Sequence, residues 1–136
     1  MSQTLASENS LSGATPGKAL NIVLWVLQLG TAAMFLMAGF SKLSSDPMAV
    51  AGFEKIGFGQ WFRYLTGTLE VSGALALLTP WLSGVGALLL AAVMVGAVAT
   101  HLFILGGSPL MAILLLVINA FIAWGRRGQI LRLLGR

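Results

Sequence analysis

The chain has 136 residues, of which 57% are hydrophobic and only 9% are charged. A soluble globular domain carries charge on about a quarter of its residues, so this composition excludes an ordinary water-facing surface and indicates a lipid bilayer as the solvent. The net charge is +4 and there is no cysteine, which excludes disulfides, thiolate metal sites and covalently attached haem within the chain. Because the basic residues flank apolar stretches instead of forming a basic face, we expect no nucleic-acid partner.

The chain divides by composition into three parts. Residues 1–18 are predicted to form a disordered tail, because this segment is polar, rich in Ser and Thr and without an apolar period. Residues 19–125 hold four apolar stretches, each near the ~20 residues that a helix needs to cross hydrocarbon about 30 Å thick. Residues 126–136 are predicted to be a basic amphipathic tail that rests on lipid. We therefore predict an all-α fold, a membrane-embedded four-helix bundle in one domain.

The four predicted spans are separated by helix-breaking residues. Pro80 ends the second span, and the run from Gly106 to Pro109 breaks the chain after the third. The spans run from about Ala19 to Leu43, from Trp61 to Thr79, from Leu82 to Leu105 and from Leu110 to Trp124.

The connection between spans one and two is predicted to contain a short helix of its own. Ser45-Asp46-Pro47 is typical of a helix start, and Ala49, Phe53 and Ile56 fall on one face of the helix that follows. The opposite face carries Glu54 and its neighbour Lys55. An amphipathic helix of this kind is expected to lie in the membrane interface.

The distribution of Lys and Arg predicts the orientation in the membrane. With four spans, five basic residues lie on one side (Lys18, Arg126, Arg127, Arg132 and Arg136) and three on the other (Lys42, Lys55 and Arg63). The side richer in Lys and Arg is normally cytoplasmic. We therefore expect a multi-pass protein of the bacterial cytoplasmic (inner) membrane with both termini in the cytoplasm.

Glu70 is an acidic residue within the second predicted span, which is otherwise largely apolar. A charge at the centre of a membrane helix costs roughly 2.5–3.5 kcal/mol, so Glu70 needs a counter-charge, a proton or a wet cavity. At a rise of about 1.5 Å per residue, Lys42, Arg63, Glu70 and His101 all lie in the outer half of the predicted bundle. Arg63 and Glu70 share a helix face with Thr66. Arg63, His101 and Lys42 are each possible partners of the carboxylate.

The predicted site is therefore a ligand-binding or proton-relay site of Lys42, Arg63, Glu70 and His101. Each residue also has a structural interpretation: Lys42 and Arg63 as interfacial anchors, His101 as an interhelical hydrogen-bonding group and Glu70 as one half of an ion pair. No catalytic residue is identified. No metal site is expected, since one histidine and scattered methionines do not form a ligand set.

Two short patterns make the chain resemble a known family. Span one ends in Phe35-x-x-x-Gly39-x-x-Lys42, and span two reads Arg63-x-x-x-Gly67-x-x-Glu70-x-x-Gly73-Ala74 before Pro80. The chain from about Asn21 to Gly125 resembles the DoxX and DoxX-like family of small bacterial integral membrane proteins. The resemblance implies four membrane helices, with Lys42, Arg63 and Glu70 at the recurring polar positions. It also implies a link to quinones and redox stress, because the family is named for a subunit of a thiosulfate:quinone oxidoreductase.

Three functional hypotheses remain open at this point. The first is a membrane subunit or binding module of a redox-linked complex without an intrinsic cofactor. It would hold a quinone-like or small anionic ligand, and its electrons would come from a bound cofactor or a partner subunit. The second is a proton-coupled transporter of small molecules, in which Glu70 carries the proton. The third is a structural or assembly protein, which could associate with itself. Whether the chain is an enzyme stays open, and at most it is the membrane subunit of an oxidoreductase.

Overall fold

The computed structural model describes residues 17–135, and all regular elements in this range are helices, so the all-α prediction is confirmed. The predicted span boundaries differ from the ends of the corresponding helices by no more than one residue. Residues 1–16 of the predicted tail lie outside the described residues. The helices are α1 (Lys18–Leu43), α2 (Pro47–Ile56), α3 (Gln60–Leu78), α4 (Ser83–Thr100) with a π-helical extension (His101–Leu105), α5 (Leu110–Gly125) and α6 (Arg127–Leu133).

Two of the four predicted spans have the length and hydropathy to cross a membrane alone. These are α1 and α4 with its extension, Ser83–Leu105. Helices α5 and α6 pass only as a pair that bends by 65° at Arg126. At 16 residues, α5 is shorter than the ~20 residues that a straight span needs. Helix α3 does not qualify, because Gln60, Arg63 and Glu70 lower its hydropathy. The four-helix membrane bundle is therefore established only in part.

The helices pack in sequence around a small core. α1 contacts α3, α3 contacts α4, α4 contacts α5, and α5 returns to contact α1. The side chains of Leu24, Phe35, Leu77, Leu90 and Ile122 fill the centre and are completely or almost completely buried. Large apolar side chains also cover the outer faces, among them Val26, Met37, Phe40, Phe103, Leu110 and Val117. An apolar exterior of this extent indicates contact with lipid.

The short helix predicted between spans one and two is present as α2. It lies across one end of the other helices and contacts α1, α3 and the π-helical extension. Its start is fixed by Asp46, whose side chain accepts a hydrogen bond of 2.9 Å from the Met48 amide. It ends at Gly57, which has a φ of +86°, and Gly59, with a φ of +99°, turns the chain into α3. These are left-handed conformations that glycine adopts without steric cost. The two glycines therefore let α2 fold back over α3.

Candidate functional site

An ion pair joins α1 to α3 within the apolar interior. The Nζ atom of Lys42 lies 2.7 Å from Oε1 of Glu70, and the side chains are 21% and 4% exposed respectively. The sequence leaves three partners open for Glu70, and the structure selects Lys42. A nearly buried carboxylate beside an ammonium at this distance is a charge-assisted contact that offsets part of the cost of removing both groups from water.

Close helix packing brings these two charges together. A Cβ atom on Gly67 would lie 3.0 Å from Cβ of Lys42, and one on Gly39 would lie 2.6 Å from a methyl carbon of Val71. Any larger side chain at Gly39 or Gly67 would therefore push α1 and α3 apart. In each sequence pattern the glycine permits the close approach of the two helices. The charged residue three positions later, Lys42 or Glu70, forms the ion pair there.

Arg63 is buried beside the pair but makes different contacts. Its Nη1 atom donates to the backbone carbonyl of Lys42, and its Nε atom donates to Oε1 of Gln60 at 2.7 Å. Its guanidinium carbon lies 4.2 Å from the centre of the Tyr64 ring. Arg63 thus binds the last turn of α1 to the first turn of α3. Its predicted role in ligand binding is untested, and Arg63 is not among the residues that line the cavity described next.

A cavity of about 560 Å³, called the pocket below, opens beside the ion pair. Its volume is within the ~300–1,000 Å³ typical of small-molecule sites. Helices α2, α3 and α4 form its walls, which are largely apolar. The polar or charged residues that line it are Lys42, Thr66, Glu70, Thr100 and His101. The structure therefore brings three of the four predicted site residues, Lys42, Glu70 and His101, to one cavity.

Phenylalanines form one wall of the pocket. Phe62 makes edge-to-face contacts with Phe53 from α2 and with Phe58 from the loop between α2 and α3, at ring-centre distances of 5.7 and 5.6 Å. Edge-to-face contact is a favoured arrangement of aromatic rings. The wall therefore offers an aromatic surface to a planar or aliphatic ligand.

Few hydrogen-bond donors in the pocket are free to bind a ligand. The hydroxyls of Thr66 and Thr100 donate to carbonyls one turn back on their own helices, at 2.8 Å each, so these oxygens face a ligand as acceptors. His101 begins the π-helical extension, and its Nδ1 lies 3.3 Å from the carbonyl oxygen of Gly106. A carbonyl oxygen only accepts, so this contact uses the Nδ1–H group and leaves Nε2 of the neutral imidazole as an acceptor. The Lys42 ammonium is thus the side chain of the pocket best able to donate.

Helix α2 covers the pocket and is fastened by two side-chain bonds. Lys55 donates from Nζ to the carbonyl of Leu105 at 3.0 Å, which ties α2 to the end of the π-helical extension. Gln60 donates from Nε2 to the carbonyl of Val50 at 3.2 Å. Because Lys55 is exposed, its bond is the weaker attachment of the cover.

A second polar cluster, which sequence reasoning missed, lies at the other end of α1. We call Asn21, Gln28, Ser83 and Arg126 the arginine network. Gln28 is fully buried, donates to the Leu77 carbonyl at 2.8 Å and accepts from Nε of Arg126 at 2.8 Å. Arg126 also donates from Nη1 to Oδ1 of Asn21 at 2.7 Å. The only sequence signal is Gln28 itself, a polar residue within the apolar first span.

Within residues 17–135, no group of three or more His, Cys, Asp or Glu side chains is arranged to hold a metal ion.

Comparisons with known proteins agree with the resemblance seen in the sequence. A family model described as the DoxX-like family matches residues 26–125. The uncharacterized protein YdgD of Bacillus subtilis (strain 168) is 31% identical over 107 residues, which cover 74% of this chain and 94% of that protein. No solved structure matches the chain. The matched range contains Lys42, Arg63, Glu70 and His101 and excludes both tails.

Proposed function

We propose that this chain, which belongs to the DoxX-like family, binds a quinone-like molecule in the pocket and acts as the membrane subunit or binding module of a redox-linked complex. Family membership and the two long apolar helices indicate a small membrane protein. The observation that carries the proposal is the ion pair of Lys42 and Glu70 at the edge of a largely apolar pocket of about 560 Å³.

The chemistry of the pocket fits a quinone better than a charged or sugar-like ligand. A quinone head is planar, apolar on both faces and bears two carbonyl acceptors. The phenylalanine wall can pack against its face, and Lys42 supplies a donor for one of its oxygens. Nε2 of His101 can accept a hydrogen bond from the hydroxyl of the reduced form. A sugar would need several more polar partners than these walls contain. An isoprenoid or other aliphatic tail can extend along the apolar part of the pocket toward lipid.

The ion pair gives the pocket a means to exchange protons. Reduction of a quinone to a quinol consumes two electrons and two protons. In this proposal the electrons come from a partner subunit, since the chain has no cysteine and only one histidine. Glu70 is held against Lys42, and a change of charge on a neighbouring ligand shifts the balance of that pair. We therefore assign Glu70 the exchange of a proton with the ligand and Lys42 the stabilisation of negative charge on its oxygen.

The proposal includes the complete membrane arrangement. Helices α1, α3, α4 and α5 cross the bacterial inner membrane as four spans, with α2 at the outer interface and both termini in the cytoplasm. The excess of basic residues near the termini supports this orientation. Reporter fusions test it: a phosphatase fused after Arg136 should be inactive and one inserted at Gly57 should be active, whereas the reverse pattern contradicts the topology.

Binding of a short-chain quinone to the purified protein tests the proposed ligand. The wild-type protein in nanodiscs should bind decyl-quinone saturably, and Glu70→Gln should weaken binding at least tenfold while the protein still inserts and folds. Glu54→Gln on α2 is the matched control, because it makes the same chemical change outside the pocket lining. Equal affinity in all three proteins would contradict the proposal.

Proton-coupled transport is the alternative that the same residues could serve, because Glu70 borders a cavity large enough for a small substrate. Proteoliposomes with an imposed pH gradient separate the two functions. Uptake of a lipophilic cation that is driven by the gradient and lost in Glu70→Gln would favour the transporter. Quinone binding without gradient-driven uptake would favour the redox module.

A further inference from the structure

Arg126 is a buried cation that has no carboxylate partner among the described residues. The residue is only 6% exposed. Two of its nitrogens donate to neutral amide oxygens, those of Gln28 and Asn21. Its Nη2 atom is buried and has no hydrogen-bond partner. Neutral acceptors satisfy hydrogen-bonding geometry but not charge, and an uncompensated buried charge is costly.

The acidic side chains of the described residues lie far from Arg126. Within residues 17–135 the carboxylates are Asp46, Glu54 and Glu70, and Glu70 is held by Lys42. Asn21 and Lys42 are separated along α1 by about 31 Å, at the usual rise of 1.5 Å per residue. The arginine network therefore lies at the opposite end of the helices from these acids. A negative charge that compensates Arg126 has to come from outside this part of the chain.

The residues near Arg126 are of types that are common at the ends of membrane helices. The guanidinium carbon lies 5.6 Å from the ring centre of Trp25, which is half-buried. Lys18 lies one turn before Asn21 at the start of α1. Tryptophan and basic residues at the ends of membrane helices mark the interface, where phosphate groups are concentrated.

We propose that Arg126 binds a phosphate group through Nη2, as part of a site formed by the start of α1 and the junction of α5 and α6. A guanidinium suits this role, since its donors are fixed in a plane and pair well with phosphate oxygens. Gln28 and Asn21 hold the guanidinium in place and leave its charge for the ligand. Nη2 is buried in this structure, so binding requires a rearrangement that exposes it. This site is independent of the pocket.

The source of the phosphate is either an anionic phospholipid or a free anion. Thermal unfolding of the delipidated full-length protein in neutral detergent distinguishes them, with phosphatidylglycerol, inorganic phosphate and a phosphate-free glycolipid as separate additions. Stabilisation by phosphatidylglycerol alone identifies a lipid headgroup, and equal stabilisation by inorganic phosphate identifies a free anion. Stabilisation by none of them, or equally by the glycolipid, overturns the proposal.

Three substitutions identify the residue responsible. Arg126→Gln should weaken phosphatidylglycerol binding at least tenfold, as measured by native mass spectrometry. Arg132→Gln on α6 removes the same charge from an exposed position and should leave binding unchanged. If Arg126→Gln does not fold, Asn21→Asp provides the test, because it keeps the hydrogen bond and supplies an internal carboxylate. Asn21→Asp should raise the melting temperature without lipid and abolish the effect of phosphatidylglycerol.

A counter-charge from the N-terminal segment is the competing explanation. Glu8 is the remaining acid of the sequence and lies outside the described residues. Under the proposal, Glu8→Gln leaves phosphatidylglycerol binding unchanged. If Glu8→Gln instead lowers the melting temperature of the lipid-free protein and creates a lipid effect that the wild type lacks, Glu8 is the partner of Arg126 and the phosphate site is wrong.

Discussion

Gly39 and Gly67 touch where α1 crosses α3: a Cβ atom on Gly39 would lie 2.9 Å from the carbonyl oxygen of Gly67. The two helices run antiparallel, because Gln28 pairs with Leu77 at one end and Lys42 pairs with Arg63 at the other. Side chains on a helix lean toward its own N-terminus. Lys42 and Glu70 therefore lean toward each other from opposite sides of the glycine contact, which accounts for their ion pair.

The first prediction concerns this glycine contact. Gly39→Ala should lower the free energy of unfolding by about 1–3 kcal/mol, the usual cost of forcing a carbon into a packed interface. Gly30→Ala is the control on the same helix, because a Cβ atom there meets nothing within 4 Å. It should be neutral or stabilise by up to about 1 kcal/mol, since alanine favours helix. Denaturant unfolding in mild detergent measures both, and equal stability of the two variants would contradict the packing.

The second prediction concerns the energetics of the ion pair. Lys42→Met leaves Glu70 buried without its cation and should cost about 2–4 kcal/mol, somewhat less than for a fully buried pair because Lys42 is partly exposed. The double variant Lys42→Met/Glu70→Met should regain most of that stability. A double-mutant cycle of unfolding free energies gives the coupling. Additive effects would mean that the two residues do not interact. The double variant should remain unable to bind quinone.

The third prediction is that Arg63 stabilises the fold and does not contact the ligand. Arg63→Lys removes the fork that holds the Lys42 carbonyl and Gln60, and it should cost about 1.5–3 kcal/mol of stability. Quinone affinity, measured below the melting temperature, should change less than about twofold, which corresponds to about 0.4 kcal/mol. A small change is expected because Arg63 does not line the pocket. A tenfold loss of affinity in a protein of unchanged stability would place Arg63 in contact with the ligand instead.

The fourth prediction concerns access to the pocket. Lys55→Gln removes the ammonium that holds α2 to the Leu105 carbonyl. Opening of the cover should become easier, so that the rates of quinone association and dissociation both rise about two- to fivefold, as expected for an exposed bond of at most 1 kcal/mol. The equilibrium constant should change little. Stopped-flow fluorescence measures the rates, with Glu54→Gln as the control on the same helix. Unchanged rates would show that ligands do not pass under α2.

The helix boundaries were predictable because they depend on local signals. Apolar runs near 20 residues, Pro80 and the glycines at 106 and 107 define them. An apolar exterior was also predictable, because only 9% of the residues are charged and these are too few to cover a water-facing surface. The length of an apolar run does not reveal tilt or bending, so the sequence did not predict the 65° bend at Arg126 that limits α5.

The partners of the charged residues were not predictable from local signals. Glu70 shares a helix face with Arg63, which made Arg63 a candidate, but the antiparallel register of α1 and α3 and the lean of the side chains favour Lys42. From the sequence, Arg126 is predicted only to contribute its charge to the orientation in the membrane. Its contacts with Gln28 and Asn21 join residues 98 and 105 positions apart. No periodicity within one helix contains such information.

Photoaffinity labelling with an azido-quinone tests the central claim most directly, namely that the cavity beside Lys42 and Glu70 holds the ligand. Purified protein in nanodiscs is labelled, digested and mapped by mass spectrometry. The account predicts labels on pocket residues of α2, α3 and α4, such as Phe53, Thr66 and Ala97, which excess unlabelled quinone and Glu70→Gln both suppress. Labels confined to the lipid-facing side chains of α5, unchanged by either treatment, would contradict it.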